Sequence, residues 1–138
     1  MSHLLTPYHV GLAAGAYNAC ILLFNVGFTR SRELALYDPS LFSKEGQIGV
    51  LLWGLAYVAA GTDPNATNVW AAFAIEKLFY VAKWIQWHRS HDCITLVRKK
   101  FGKGFLEILG PLFHAMYGVG DFIFGTLFLL LWLRRRAA

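Results

Sequence analysis

The sequence predicts an all-α polytopic membrane protein: a bundle of four transmembrane helices forming a single domain over residues 1–138. Three observations predict it. Of the residues, 57% are hydrophobic and 15% charged, whereas a soluble domain carries about 25% charged residues. Four long apolar runs follow one another along the chain. Each run carries small and polar residues at helical spacing, as helices packed in lipid do. Mean hydropathy is +0.44. This composition excludes a disordered tail and an ordinary cytosolic enzyme. The net charge of +5 and pI of 9.4 do not call for a nucleic-acid partner. Most basic residues sit between apolar runs and at the C-terminus, where membrane topology places them.

A span needs roughly 17–25 apolar residues. On that measure the runs predict helices over about 8–28, 43–61, 69–88 and 105–133. The fourth exceeds one bilayer, so it is expected to tilt or to kink at Pro111. The connection 29–45 holds a turn signal at Asp38-Pro39-Ser40, and 62–68 is a tight turn on Asp63-Pro64-Asn65. The connection 88–104 is basic and accommodates a short amphipathic helix around 94–101. No internal repeat is present, and the N-terminus through Pro7 lacks the Lys and Arg of a signal peptide.

Eight Lys and Arg flank the first and third connections, against three at the C-terminus. The positive-inside rule then places the long connections in the cytoplasm of a multi-pass bacterial inner-membrane protein, with both termini outside. The triplet Arg134-Arg135-Arg136 argues the other way. Asn65-Ala66-Thr67 matches a glycosylation sequon, a pattern frequent by chance.

The polar residues fall into seams. Gly11, Gly15, Asn18, Leu22 and Asn25 share one face, as do Gln47, Val50, Gly54, Tyr57 and Gly61. Glu76, Tyr80, Lys83 and Trp87 form a third stripe. Glu107, His114 and Asp121 recur every seven residues, with Tyr117, Gly118 and Gly125 beside them. Glycines and amides at such positions read first as packing contacts and interhelical hydrogen bonds.

Charges inside a span are costlier, at about 2.5–3.5 kcal/mol each on insertion scales. Glu76, Lys77 and Asp121 are therefore expected to pair or to line a hydrated cavity. Depth supports pairing. With spans centred on Phe79 and Val119, Lys77 and Asp121 both lie about 3 Å towards the same side. Lys77 and Glu76 are about 100° apart on their helix, so if only one faces the interior, Glu76 is the better member of the seam. The candidate ligand-binding or polar cluster is Asn18, Tyr57, Glu76, Lys77, Tyr80, His114 and Asp121. Lys83 and Glu107 are read as reaching the headgroups.

Other motifs carry less. His88, His91, Asp92 and Cys93 are metal-ligand types, but no second cluster completes a site, so no metal is expected. His114 has no second His at its depth for a haem, and no cofactor is expected. Cys20 and Cys93 differ in depth, so no disulfide is expected. No phosphate-binding loop or hydrolase signature occurs.

Three stretches, Trp53-Gly54-Leu55-Ala56-Tyr57, Phe73-Ala74-Ile75-Glu76-Lys77-Leu78-Phe79-Tyr80 and Tyr117-Gly118-Val119-Gly120-Asp121-Phe122, resemble small four-span bacterial membrane proteins of the DoxX-like kind. The resemblance implies a four-helix inner-membrane protein and says little about activity. A weaker likeness is to EXPERA-type helical proteins, which bind or isomerise sterols; it carries over no catalytic residue.

The functional expectation is an integral membrane accessory protein that holds a lipophilic small molecule, or a partner's helices, against its polar seam. Membrane lipid is its expected surroundings, nucleic acid is not a partner, and an oligomer is allowed. The alternatives are a small isomerase- or oxidoreductase-type enzyme using Glu76, His114 and Asp121 as acid and base groups, and a proton-coupled carrier.

Overall fold

The computed structural model describes residues 6–22, 38–102 and 104–137. Their regular structure is helical throughout: α1 (Pro7–Leu22), the single turn α2 (Pro39–Phe42), α3 (Lys44–Thr62), α4 (Val69–Ser90), α5 (Cys93–Lys100) and α6 (Phe105–Arg136). Local chemistry sets the boundaries. Asp38 caps α2 by accepting from the Leu41 N–H at 3.2 Å, and Ser43 caps α3 by accepting from the Gly46 N–H at 2.9 Å. Asp63, Pro64 and Asn65 close α3, with the Asp63 carboxylate accepting from the Asn65 N–H at 2.8 Å. α6 continues through Pro111 as one helix of 32 residues. The last six residues of the first expected helix lie outside the described residues.

Two tight helix pairs make the body, α1 on α3 and α4 on α6. Glycine allows the first. A Cβ at Gly11 would collide with the Tyr57 carbonyl, and one at Gly15 would come within 2.6 Å of Val58 Cγ2. Backbone therefore lies on backbone, as small-residue stripes permit. The second pair is joined by bulk: the Trp84 ring covers Gly118, and Gly125 makes room for Lys77, whose Cβ lies 3.2 Å from where its own would be. An aromatic cluster of Tyr57, Trp70, Phe73 and Phe128 binds the pairs together, with centroids 4.8–5.7 Å apart. Each such pair adds about 0.5–1.5 kcal/mol beyond area burial. At the same end Arg135 donates to the Pro64 carbonyl at 2.5 Å, tying the end of α6 to the α3–α4 turn.

The expectation of four membrane spans is corrected here. Among the described residues one segment is long and apolar enough to cross a membrane, the 23 residues His114–Arg136 of α6. A four-span polytopic bundle, and with it a multi-pass inner-membrane placement, is not supported. The reasons lie in the other helices. The described α1 has 16 residues, about 24 Å of helix against a hydrocarbon core of ~30 Å. α3 spends its first turn on Lys44, Glu45 and Gln47. α4 carries Glu76, Lys77, Lys83 and Arg89 along its length. Counting apolar residues overlooked how evenly the polar ones are spread. The cytoplasmic placement of the long connections rested on four spans and is withdrawn with them.

The stripe expected on α4 is corrected as well. Its buried residues are Trp70, Phe73, Ala74, Lys77 and Trp87. Lys83 is exposed, and Glu76 and Tyr80 are half-buried. The interior face is thus turned by one residue, about 100°, from the 76–80–83 stripe, and Lys77 rather than Glu76 points inward.

Candidate functional site

Four side chains from three helices meet in the middle of the molecule. α1 contributes Asn18, α4 contributes Glu76 and Lys77, and α6 contributes Asp121. Asn18, Lys77 and Asp121 are 2%, 2% and 4% exposed. The Lys77 ammonium donates to Asp121 Oδ1 at 2.7 Å and to Asn18 Oδ1 at 3.0 Å. Asn18 Nδ2 in turn donates to the Val50 carbonyl of α3 at 2.9 Å. Val50 can offer that carbonyl because Gly15 and Gly54 bring α1 and α3 close, with Asn18 Cβ 3.2 Å from the place a Gly54 side chain would take. Each charged or amide group is engaged, as burial demands.

The ammonium is also 5.2 Å from the Tyr57 ring centre and 5.7 Å from that of Tyr17, within range of a cation–π attraction. Tyr57 uses its hydroxyl differently: it donates to Glu76 Oε2 at 2.5 Å. So Glu76 is held beside the cluster by Tyr57, and Asp121 is held by Lys77. Charge-assisted bonds of this kind are roughly twice as strong as neutral ones.

A cavity of 20 Å³ adjoins the pair. Asn18, Glu76, Lys77 and Asp121 form its polar wall, and Leu41, Phe42 and Val50 form its apolar one. The volume admits one water or one oxygen of a larger molecule. Leu41, Tyr80 and Tyr117 also border an outer cleft of 200 Å³ that includes Asp38, Phe79 and Lys83. Two groups can still bond a guest in the inner cavity. An ammonium has three N–H donors, and those of Lys77 meet two side-chain acceptors. The Tyr117 hydroxyl is buried and has no hydrogen-bond partner among the described residues.

His114 stands apart. Its ring is fully buried, and among the described residues neither nitrogen has a hydrogen-bond partner. Trp87, Phe42 and Tyr117 enclose it with centroids at 4.1, 4.9 and 5.3 Å. Of the candidate residues, Asn18, Lys77 and Asp121 come together directly, Tyr57 and Glu76 flank them as a pair, Tyr80 lines both spaces, and His114 lies two helical turns from Asp121. The side chain of Glu107 lies outside the described residues. His88 bonds the Ala115 carbonyl at 3.0 Å and His91 stacks on Trp87 at 4.7 Å. Among the described residues no group of three metal-ligand side chains gathers.

Sequence reasoning missed Tyr17, Trp84 and the role of Tyr117. Tyr17 donates to the Tyr117 carbonyl at 2.6 Å and blocks the space above Gly120. Trp84 Nε1 donates to the His114 carbonyl at 3.3 Å. The available signal was pairing of large with small: Tyr17 and Trp84 sit where α6 offers Gly120 and Gly118.

Compared with known proteins, the chain matches no protein-family model, no curated protein and no solved structure. The resemblance to DoxX-like proteins therefore brings no site residue with it. The fold and site define a class only: a protein whose described residues are helical, with one membrane-length helix and a buried ion pair among them.

Proposed function

We propose that the chain is a membrane-associated accessory protein that binds the polar end of a lipophilic small molecule. One observation carries the reading: the charged cavity at Lys77 and Asp121 shares Leu41, Tyr80 and Tyr117 with the outer cleft. An apolar body would rest on Phe79, Tyr80 and Leu41, while a hydroxyl or carbonyl oxygen reaches Lys77 and Tyr117. At 200 Å³ the cleft is below the ~300–1,000 Å³ of a drug-sized pocket, so it suits one ring or head group with the rest of the molecule outside.

Membrane association draws support from His114–Arg136 and from large apolar side chains left bare on α3 and α4, among them Leu55 at 66% and Ile75 at 70% exposed. Patches of that kind mark contact with lipid or an apolar partner. Pairing with Lys77 also neutralises Asp121 within the membrane-length segment. Acid–base catalysis or a proton relay would draw on Glu76, His114 and Asp121 together, whereas His114 lies two helical turns from Asp121 and outside the lining of the cavity that Glu76 and Asp121 share.

Native mass spectrometry of protein purified in mild detergent tests the reading. A bound lipophilic mass is expected in the wild type and is lost in Lys83→Trp, which fills the cleft from an exposed position, at unchanged thermal stability. Absence of any bound mass, with no thermal shift on adding lipids, quinones or sterols, overturns it.

A further inference from the structure

α5 has no part in the cleft, yet it is built as a separate unit. Asp92 starts it, accepting from the Thr95 N–H at 3.1 Å and the Thr95 hydroxyl at 2.6 Å. Beyond its end, Gly102 (φ 97°) and Gly104 (φ 126°) occupy the left-handed region that side chains resist. They let the chain leave α5 and enter α6 abruptly, and α5 packs against α6. Ile94, Val97 and Phe101 recur three and four residues apart and share a face. Ile94 is 66% exposed and Phe101 77%, the barest large apolar side chain among the described residues. Arg98 and Lys99 are exposed beside them, and Lys100 follows. A helix that couples bare apolar side chains to a cluster of cations is suited to the membrane interface, not to water alone.

We propose that α5 is an interfacial helix that docks on anionic lipid headgroups. Ile94 and Phe101 enter the headgroup–acyl boundary, while Arg98 and Lys99 meet the headgroup charges, their long stems giving the reach. Two features select this occupant: the sign of the charge, and the position of α5 directly before α6, which holds the one membrane-length segment among the described residues. The proposal rests on the membrane reading of α6 but not on the ligand cleft. It makes membrane composition a determinant of how the α6 entrance is held.

The test uses the full chain, with Cys20→Ser and Cys93→Ser, carrying an environment-sensitive fluorophore at Ile94→Cys or, separately, at Ile123→Cys. The protein is reconstituted in phosphatidylcholine vesicles with or without phosphatidylserine. The Ile94 probe is expected to shift to shorter wavelength and to escape aqueous quencher only when phosphatidylserine is present, and high salt reverses the shift. With about fivefold in partition per basic residue, Arg98→Glu with Lys99→Glu lowers the ratio of docked to undocked α5 at least about 25-fold. The Ile123 probe separates the two ideas. Water contact at Ile123 overturns the membrane reading, and this proposal with it. A protected Ile123 with an Ile94 probe equally quenched in both vesicles overturns the α5 proposal alone. So does a shift in phosphatidylcholine alone that grows with protein density, which marks a second copy, or one produced in detergent by heparin, which marks a soluble polyanion.

Discussion

Asp121 and His114 lie two turns apart on one face of α6, both are buried, and their surroundings are opposite. Asp121 receives a cation from α4, and that cation is shared with an amide from α1 that is itself anchored on α3. His114 receives rings from Phe42, Trp87 and Tyr117 and, among the described residues, no hydrogen bond at either nitrogen. The difference teaches where this fold is committed. A buried charge persists only where several helices converge to satisfy it. An imidazole tolerates an aromatic cage, though an unmet polar atom costs about 1–3 kcal/mol. The Asp121 end is a junction of helices held by charge, and the His114 end is an imidazole held by packing alone among the described residues.

The largest expected effect breaks the junction. Lys77→Met or Asp121→Leu leaves a lone buried charge and should cost about 3–5 kcal/mol each. The double variant should lose less than the sum of the two. Unfolding in detergent measures all three, and strictly additive losses would remove the ion pair from the account.

Between the two sites lies Gly118, with the Trp84 ring where its side chain would go. Gly118→Ala should cost about 1–3 kcal/mol through overpacking. Gly49→Ala is the control, since nothing lies within 4 Å of that position; in a helix interior it should gain about 0.5–1 kcal/mol. Equal effects at the two glycines would show that the α4–α6 contact is looser than described.

His114→Phe sharpens the contrast because its sign is reversed. The ring is retained and two unpartnered nitrogens disappear, so stability should rise by about 1–2 kcal/mol. If instead the variant is less stable than the wild type, the imidazole has a partner in solution. If it is more stable but loses the bound mass seen by mass spectrometry, His114 serves the ligand.

The smallest effect is outside the body, at the α5 cap. The two bonds from Thr95 hold the Asp92 carboxyl below its ordinary range. A lowered native value means that the cap's contribution is complete above the ordinary carboxylate range and is lost as pH falls through the native value. The protection of the Thr95 N–H from hydrogen exchange, taken relative to an unfolded chain at the same pH, should therefore fall only in acid, and Asp92→Ala should lack that protection at every pH. An unchanged acid profile in that variant would show that Asp92 is not the titrating group.

Much of the local structure was legible in the chain. The second apolar run, expected over 43–61, is helical over Lys44–Thr62, and the third, expected over 69–88, over Val69–Ser90. Periodicity, Ser43 and the Asp63-Pro64-Asn65 turn are local signals, so neighbours in sequence suffice to read them. The spacing of Gly11, Gly15 and Asn18 against Val50, Gly54 and Tyr57 likewise marks two complementary faces, and those faces meet. The sequence by itself thus determined the helices, the glycine stripes and the short list of polar residues that needed partners.

Only the tertiary structure decided which partners they took. Lys77 and Glu76 differ by one step of about 100°, and both carry charge, so hydropathy could not tell which faces inward. Trp70, Phe73 and Ala74 settled it by docking on Phe128 and Tyr57, and their packing turned Lys77 onto Asp121 and left Glu76 to Tyr57. The number of membrane-length helices followed instead from the length of each helix and the polar residues it carries, which left His114–Arg136 alone among the described residues. An apolar run reports how much surface avoids water, while whether hydrocarbon or another helix removes it depends on the packing of the whole chain.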